Sequence, residues 1–327
     1  MLTYILRRIA IAISVIVVTM VASFGLFFLA PTDPAGAMCG RNCTPERIAD
    51  ITKSLGLDEP FLAQVTNYMK GVVVGRTFSS GGTTVECPAP CLGYSYQLGQ
   101  PVTKLIGNAL PVTVSIVIGG AVVYLFIGVL TGTVAARLRG TSVDRLTVGA
   151  SLGISSVPYF VVALLAALYV AGTILPRSEY TSFFDNPFAW AAGLVSAWVI
   201  LGLTNAAGYT RYARAAMIES LGEDYVRTAR AKGISERRVV YRHGLRAAIT
   251  PIATILGLDL AFQLTGAIFT EAIFGLPGLG VLTLRAFSFF DLPVLMGAVL
   301  VGSVALVVMN LIVDIVYTVL DPRVRLA

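Results

Sequence analysis

The chain has 327 residues, of which 56% are hydrophobic and 13% charged, with a mean hydropathy of +0.80 and a formal net charge of +6. A water-soluble domain cannot bury that much apolar side chain, so lipid must be a large part of the solvent. No basic face interleaved with aromatic residues stands out, which excludes nucleic acid as a partner.

Six apolar segments are each long enough to cross about 30 Å of hydrocarbon. They lie near Ile9–Ala30, Asn108–Ala136, Leu146–Leu175, Ala189–Tyr209, Pro251–Phe269 and Pro293–Leu320. The first is too long for a signal-peptide core, and the nearest small-residue site, Ala35-Gly36-Ala37, has Pro34 before it. It reads as an uncleaved span, with residues 1–30 forming a cytoplasmic terminus and the first helix. The remaining spans form a five-helix core over 108–320, followed by a short tail, 321–327. Six spans put both termini on one side. Lys and Arg then choose that side: 16 fall on the face shared with the termini and eight on the other. The positive-inside rule assigns the richer face to the cytoplasm of a cell membrane.

Residues 31–107 form an external insert, helical near Pro45–Leu55, and hold all four cysteines as Cys39-x3-Cys43 and Cys87-x3-Cys91. Four cysteines on the external side point to an oxidising compartment and two disulfides, in any of three pairings. The rival is a four-thiolate zinc site, disfavoured by the loose spacing and by oxidation outside the cell. Either way the insert is stiffened, as a plain staple or as a docking lobe.

Within the spans, Gly128-x3-Gly132 invites close helix packing. Gly149-Ala150-Ser151-Leu152-Gly153 matches the G-x-S-x-G of hydrolases. The single histidine, His243, lies in a distant loop, so small residues packing a span are the better reading. Asp259 and Gln263 are four apart on one helix face; with Asn205 they are candidates to line a polar path, or to tie helices together. Asn310, Asp314 and Tyr317 share a face of the last span and read as structural. Glu271, before Pro277-Gly278, reads as the anchor of a re-entrant external turn. No G-x-x-x-x-G-K-[ST] is present, so no ATP phosphates are cradled by this motif, and no cofactor is expected in this chain.

The most patterned polar stretch runs from Asp224 to Pro251 and carries seven Lys/Arg. Ala229-Arg230-Ala231-Lys232 favour a helix and Gly233 stops it. A second helical run, Ser235 to Ala248, follows with Ser235 as N-cap. Two short helices joined at a glycine make a knob that a soluble partner can grip.

This stretch resembles the coupling loop of ABC-importer permeases. That family's general loop reads Glu-Ala-Ala, three residues, Gly, nine residues, Ile-x-Leu-Pro. Gly233 fits the Gly, Ala229 the second Ala and Leu245 the Leu; Arg227, His243 and Arg246 depart from Glu, Ile and Pro. Those departures match the dipeptide/oligopeptide branch, whose Asp-Tyr-Val-Arg-Thr-Ala-Arg-Ala-Lys-Gly and Arg-His-x-Leu-Arg are reproduced by Asp224 to Gly233, including Tyr225, Arg230 and Lys232, and by Arg242 to Arg246. Further resemblances are Tyr4 with Arg7-Arg8, Asp33-Pro34, Leu55 to Pro60, Glu271 to Phe274 with Pro277 to Gly280, Asp291-x-Pro293, and Asp314, Tyr317 and Asp321-Pro322-Arg323. The resemblance implies an all-α polytopic membrane protein with six transmembrane helices and a type I importer permease fold. It implies a second permease, two cytoplasmic ATPases that bind ATP and Mg, and an external binding protein as partners. The permease itself is non-catalytic. The loop, 210–250, transmits ATP-driven motion, and its basic side chains offer charge complementarity to an ATPase. Peptides are the implied cargo; near relatives carry nickel chelates and other solutes. The competing classes are an ion-coupled secondary transporter, for which no inverted repeat is visible, and an intramembrane hydrolase, for which the only histidine is misplaced.

Overall fold

The computed structural model describes residues 2–29, 33–39, 43–80 and 83–320. The side chains of Tyr4, Arg7, Arg8 and Tyr317, and all of 321–327 with Asp321-Pro322-Arg323, lie outside the described residues.

In chain order the helices are α1 (Leu2–Leu29), α2 (Pro34–Cys39), α3 (Pro45–Leu55) and α4 (Phe61–Val74). Two antiparallel pairs follow, β1 (Arg76–Ser80) with β2 (Thr83–Cys87), and β3 (Tyr94–Ser95) with β4 (Gln100–Pro101). Then come α5 (Val102–Arg137), α6 (Ser142–Ser156), α7 (Tyr159–Tyr169), α8 (Pro187–Gly222), α9 (Asp224–Ala231) and α10 (Glu236–Arg238). A π-helical turn (Val239–Gly244) leads into α11 (Leu245–Leu264), and α12 (Ile268–Phe274), α13 (Leu279–Ser288) and α14 (Leu292–Leu320) complete the chain.

Among the described residues four helices are long and apolar enough to cross a membrane, α5, α8, the continuous helix Glu236–Leu264 and α14; the α6–α7 pair passes if its two helices count together, and α1 is apolar over Ala10–Leu26. The third span is not straight. It bends by 88° between α6 and α7, because Pro158 pushes Val157 out of the helical region to φ −90°, ψ 127°. The α12–α13 pair also breaks, over residues 275–278, and passes as a span only if its two helices are counted together. Glu271 lies, fully buried, on α12, beyond the end of α11, and its carbonyl accepts from Leu276 N at 2.8 Å. Gly278 caps α13, accepting from Leu282 N at 3.1 Å, and Pro277 fills the corner beside it.

The chain divides into two compact units. The first holds residues 1–113, 265–268 and 277–307. The insert belongs here, and besides the helix expected near Pro45–Leu55 it carries two short strand ladders. Its α3 starts on Thr44, whose hydroxyl accepts from Arg47 N. The cysteines pair within each motif, Cys39 with Cys43 and Cys87 with Cys91. Cys39, Cys87 and Cys91 are buried in one apolar core with Met38, Ile51, Phe78, Tyr94 and Val102. Phe78 and Tyr94 stack at 5.8 Å there. Tyr68 donates to Leu92 O (3.2 Å), and the Gln97 amide donates to Met38 O (2.9 Å) and Phe289 O (3.3 Å). The buried Ser95 hydroxyl bonds the buried Asp291 carboxylate at the head of α14. Burial raises that carboxyl above the usual range, while Ser95 and the Val294 N–H pull it back.

The second unit holds residues 114–264, 269–276 and 308–327. In it α5 and α8 approach backbone to backbone at the small-residue motif. A Cβ on Gly132 would sit 2.5 Å from Thr210 O and 2.7 Å from Ala213 Cβ, and one on Gly128 would sit 2.5 Å from Tyr209 Cβ. The Thr131 and Thr210 hydroxyls bond across the seam at 2.8 Å. Ser151 lies buried in the middle of α6, on no strand-to-helix turn, and takes Arg211 on its carbonyl (3.2 Å) and hydroxyl (3.3 Å). The hydrolase reading has no elbow to stand on. Asp144 grips Arg214 with both oxygens, at 2.5 and 2.8 Å, tying α6 to α8.

Candidate functional site

The loop after α8 folds as a helical knob. Gly233 takes φ +73° two residues past α9. Gly233 N donates to Arg230 O (2.9 Å) and Ile234 N to Ala229 O (3.3 Å), which is the Schellman pattern of a helix stopped at glycine. Ile234 folds back onto Val226, Ala229 and Val239, and this small core seats the knob on Leu221.

The second helical run differs from expectation. Ser235 occupies the cap position of α10 but makes no side-chain cap bond. The helix does not end near Ala248: it continues through the π-helical turn and α11 to Leu264 as the fifth span. Such a turn skips one regular backbone bond. Gly244 O is taken up by the buried Ser220 hydroxyl at 2.9 Å, and Ser220 also meets Tyr225 OH at 3.0 Å.

The structure sorts the loop residues into three groups. Ala229 is buried and Leu245 half-buried against Met217, Val240 and Ala248, with His243 half-buried beside them. Asp224, Tyr225, Arg227, Lys232, Gly233, Arg242 and Arg246 are exposed. Arg237, Arg238, Tyr241 and Arg242 line an open groove with Ser235. Arg230 is exposed as well, but its guanidinium is engaged across the glycine turn, where it pairs with both oxygens of Glu236 at 2.8 and 3.1 Å. It braces the knob and is not a free docking charge. Sequence reading missed Glu236 because the pair is six apart across a turn, a spacing with no helical-face signal.

Matches to known proteins agree with this geometry. Residues 128–326 match the family of binding-protein-dependent transport system inner membrane components, and residues 1–117 match that family's N-terminal region. The chain belongs to this family. A peptide transport system permease protein of Brucella abortus is 35% identical over 99% of both chains. The dipeptide transport system permease protein DppB of Escherichia coli is 32% identical over 99% of both. Its namesake in Alkalihalophilus pseudofirmus is 30% identical over 99% of this chain and all of the other.

The polar residues within the spans of this inner-membrane component are not all brought together. The Tyr209 hydroxyl donates to Asp259 Oδ2 at 2.7 Å. Tyr209 and the fully buried Tyr124 stack at 4.6 Å, 30° from parallel. Gln263 stands near the Tyr124 hydroxyl. Asn205 bonds its own helix instead, donating to Leu201 O at 2.8 Å. Neither tyrosine was singled out from sequence, since tyrosine in a span reads as ordinary packing.

Proposed function

We propose that the chain is a permease subunit of an ATP-driven peptide importer, with both termini cytoplasmic. It pairs with a second permease to form the path, receives peptide from an external binding protein, and is driven by two cytoplasmic ATPases that bind ATP and Mg. The observation that carries this reading is the knob. An eight-residue helix and its glycine turn stand exposed on a small private core, and the helix that follows the turn runs on into a membrane span. A groove on an ATPase that grips the knob is thereby connected to that span. The peptide cargo is supported by the names that relatives carry. The test is reconstitution of the chain with its partner subunits in liposomes, with ATP hydrolysis and uptake of a labelled dipeptide measured together. ATP-dependent uptake that requires the external protein is the expected result. Hydrolysis without uptake of any peptide overturns the peptide assignment, and uptake driven by an ion gradient without ATP overturns the importer class.

A further inference from the structure

An ionised carboxylate inside a span is costly wherever lipid covers it, by about 2.5 kcal/mol or more. Asp259 lies in the run Pro251 to Leu264, where Thr254 and Gln263 are the only other polar side chains. Its helix is the least covered of the long spans: 22% of its apolar window is buried within the chain, against 39–50% for the other three. The open surface is divided. Leu258 and Phe262 are exposed at 57% and 79% and suit lipid. Asp259 and Gln263, one position further and about 100° round the helix, are half-exposed. The carboxylate is not simply buried as a tie between helices. One oxygen is held by Tyr209, whose ring is locked against Tyr124 and whose single O–H is thereby used. The arrangement is a positioned carboxylate at the edge of two stacked aromatic faces, with an amide one turn away.

That chemistry selects cations. A single carboxylate is too few oxygens for calcium or magnesium, which want six or more ligands. An ammonium group is suited: it needs one counter-charge, hydrogen-bond acceptors and an aromatic surface. At neutral pH a peptide carries such a group at its amino terminus. We propose that Asp259, positioned by Tyr209 and Tyr124 and flanked by Gln263, is a cation-selective station on the translocation path that receives the protonated amine of a peptide in transit. This rests on the peptide-importer reading. A station of one charge and neutral neighbours holds its guest loosely, as a transport path requires.

The four native cysteines are paired, so an introduced thiol is the only free one in the chain. Gln263→Cys in the whole reconstituted complex is treated with trimethylammonium and sulfonate methanethiosulfonates, and modification of this chain is followed by mass. The cationic reagent should be favoured about tenfold beyond its preference for a free thiol in solution, as a neighbouring carboxylate attracts cations and repels anions. The preference should vanish with added Asp259→Asn, shrink with Tyr209→Phe, and the reaction should slow when a dipeptide is supplied with ATP and the binding protein. Absence of reaction with either reagent, resting or turning over, overturns the station, as does a preference unchanged by Asp259→Asn. Cation preference without protection by dipeptide, in a complex that still transports it, overturns the amine assignment while leaving the peptide-importer reading intact. If the complex transports no peptide at all, it is the importer reading that fails.

Discussion

The Gly233 turn offers a sharp perturbation because its two possible costs can be separated. At φ +73° a residue with a Cβ pays about 1–2 kcal/mol in the left-handed region, a shift of roughly 5- to 30-fold in the population of the formed turn. Within the chain there is no second cost: an ideal Cβ on Gly233 meets nothing within 4 Å. Asparagine tolerates this region better than other side chains, alanine less well, and valine least because it is β-branched. If the backbone conformation is what the knob requires, activity falls in the order Gly, Asn, Ala, Val. If the space beside Gly233 is filled by an ATPase, size decides instead: Ala is mildest, and Asn and Val are similarly damaging. Complexes carrying each variant are reconstituted, and substrate-stimulated ATP hydrolysis is measured beside uptake. The size order refutes the backbone argument. Normal stimulated transport by Gly233→Val refutes the assignment of this loop as the coupling element.

Reversing the brace distinguishes an internal role for Arg230 from a docking role. Arg230→Glu and Glu236→Arg should each weaken ATPase stimulation a few-fold, in keeping with an exposed pair of about 0.2–1 kcal/mol, and the double reversal should restore it; a double variant no better than Arg230→Glu means that Arg230 touches the ATPase itself. In the helix seam, Gly132→Ala should cost about 1–3 kcal/mol through overpacking and lower the thermal midpoint of the assembled complex. Gly149→Ala, where an added Cβ meets nothing within 4 Å, should leave the midpoint unchanged or raise it; equal midpoints for the two variants would show that the seam is loose.

The parts of the molecule readable from sequence are those where local chemistry decides the outcome. The Arg230 to Gly233 run specifies a helix and its stop, and the Schellman bonds close there. Gly128-x3-Gly132 specifies a seam because only a missing Cβ lets backbones approach that far. The bend in the third span was visible as Pro158 but was masked by continuous hydropathy, which measures solvent and is indifferent to direction. The strand ladders are short and rest on a disulfide-bearing core rather than on their own alternation, so periodicity carried little signal. Disulfide pairing stayed open among three patterns until the fold held each pair together, with Cα separations of 5.4 and 5.5 Å. Long-range polar pairs were the least legible. Tyr209 meets Asp259 across fifty residues of sequence, and only the packing of α8 on α11 brings them together.

The two candidate sites, read separately, fall on one element. The helix Glu236–Leu264 begins at the brace to Arg230 and carries Asp259 near its far end. The 23 positions between them span about 35 Å at 1.5 Å per residue, close to the thickness of the hydrocarbon core. Between them lie the π-helical turn Val239–Gly244 and, about two turns beyond it, Pro251. Both interrupt the regular bond ladder, and both are where helices commonly bend. Ser220, on α8, holds the first: its O–H donates to Gly244 O at 2.9 Å. On the proposed function, a displacement of the knob has two ways to travel. If the helix moves as a rod, the carboxylate moves with it against Tyr209; if it yields at the π turn or Pro251, the knob turns while Asp259 stays. Only the first couples ATP to the cation station through this helix. The bond from Tyr209 to Asp259 is the place to look for the difference, because a rod-like shift must stretch or break it while a bend leaves it at 2.7 Å.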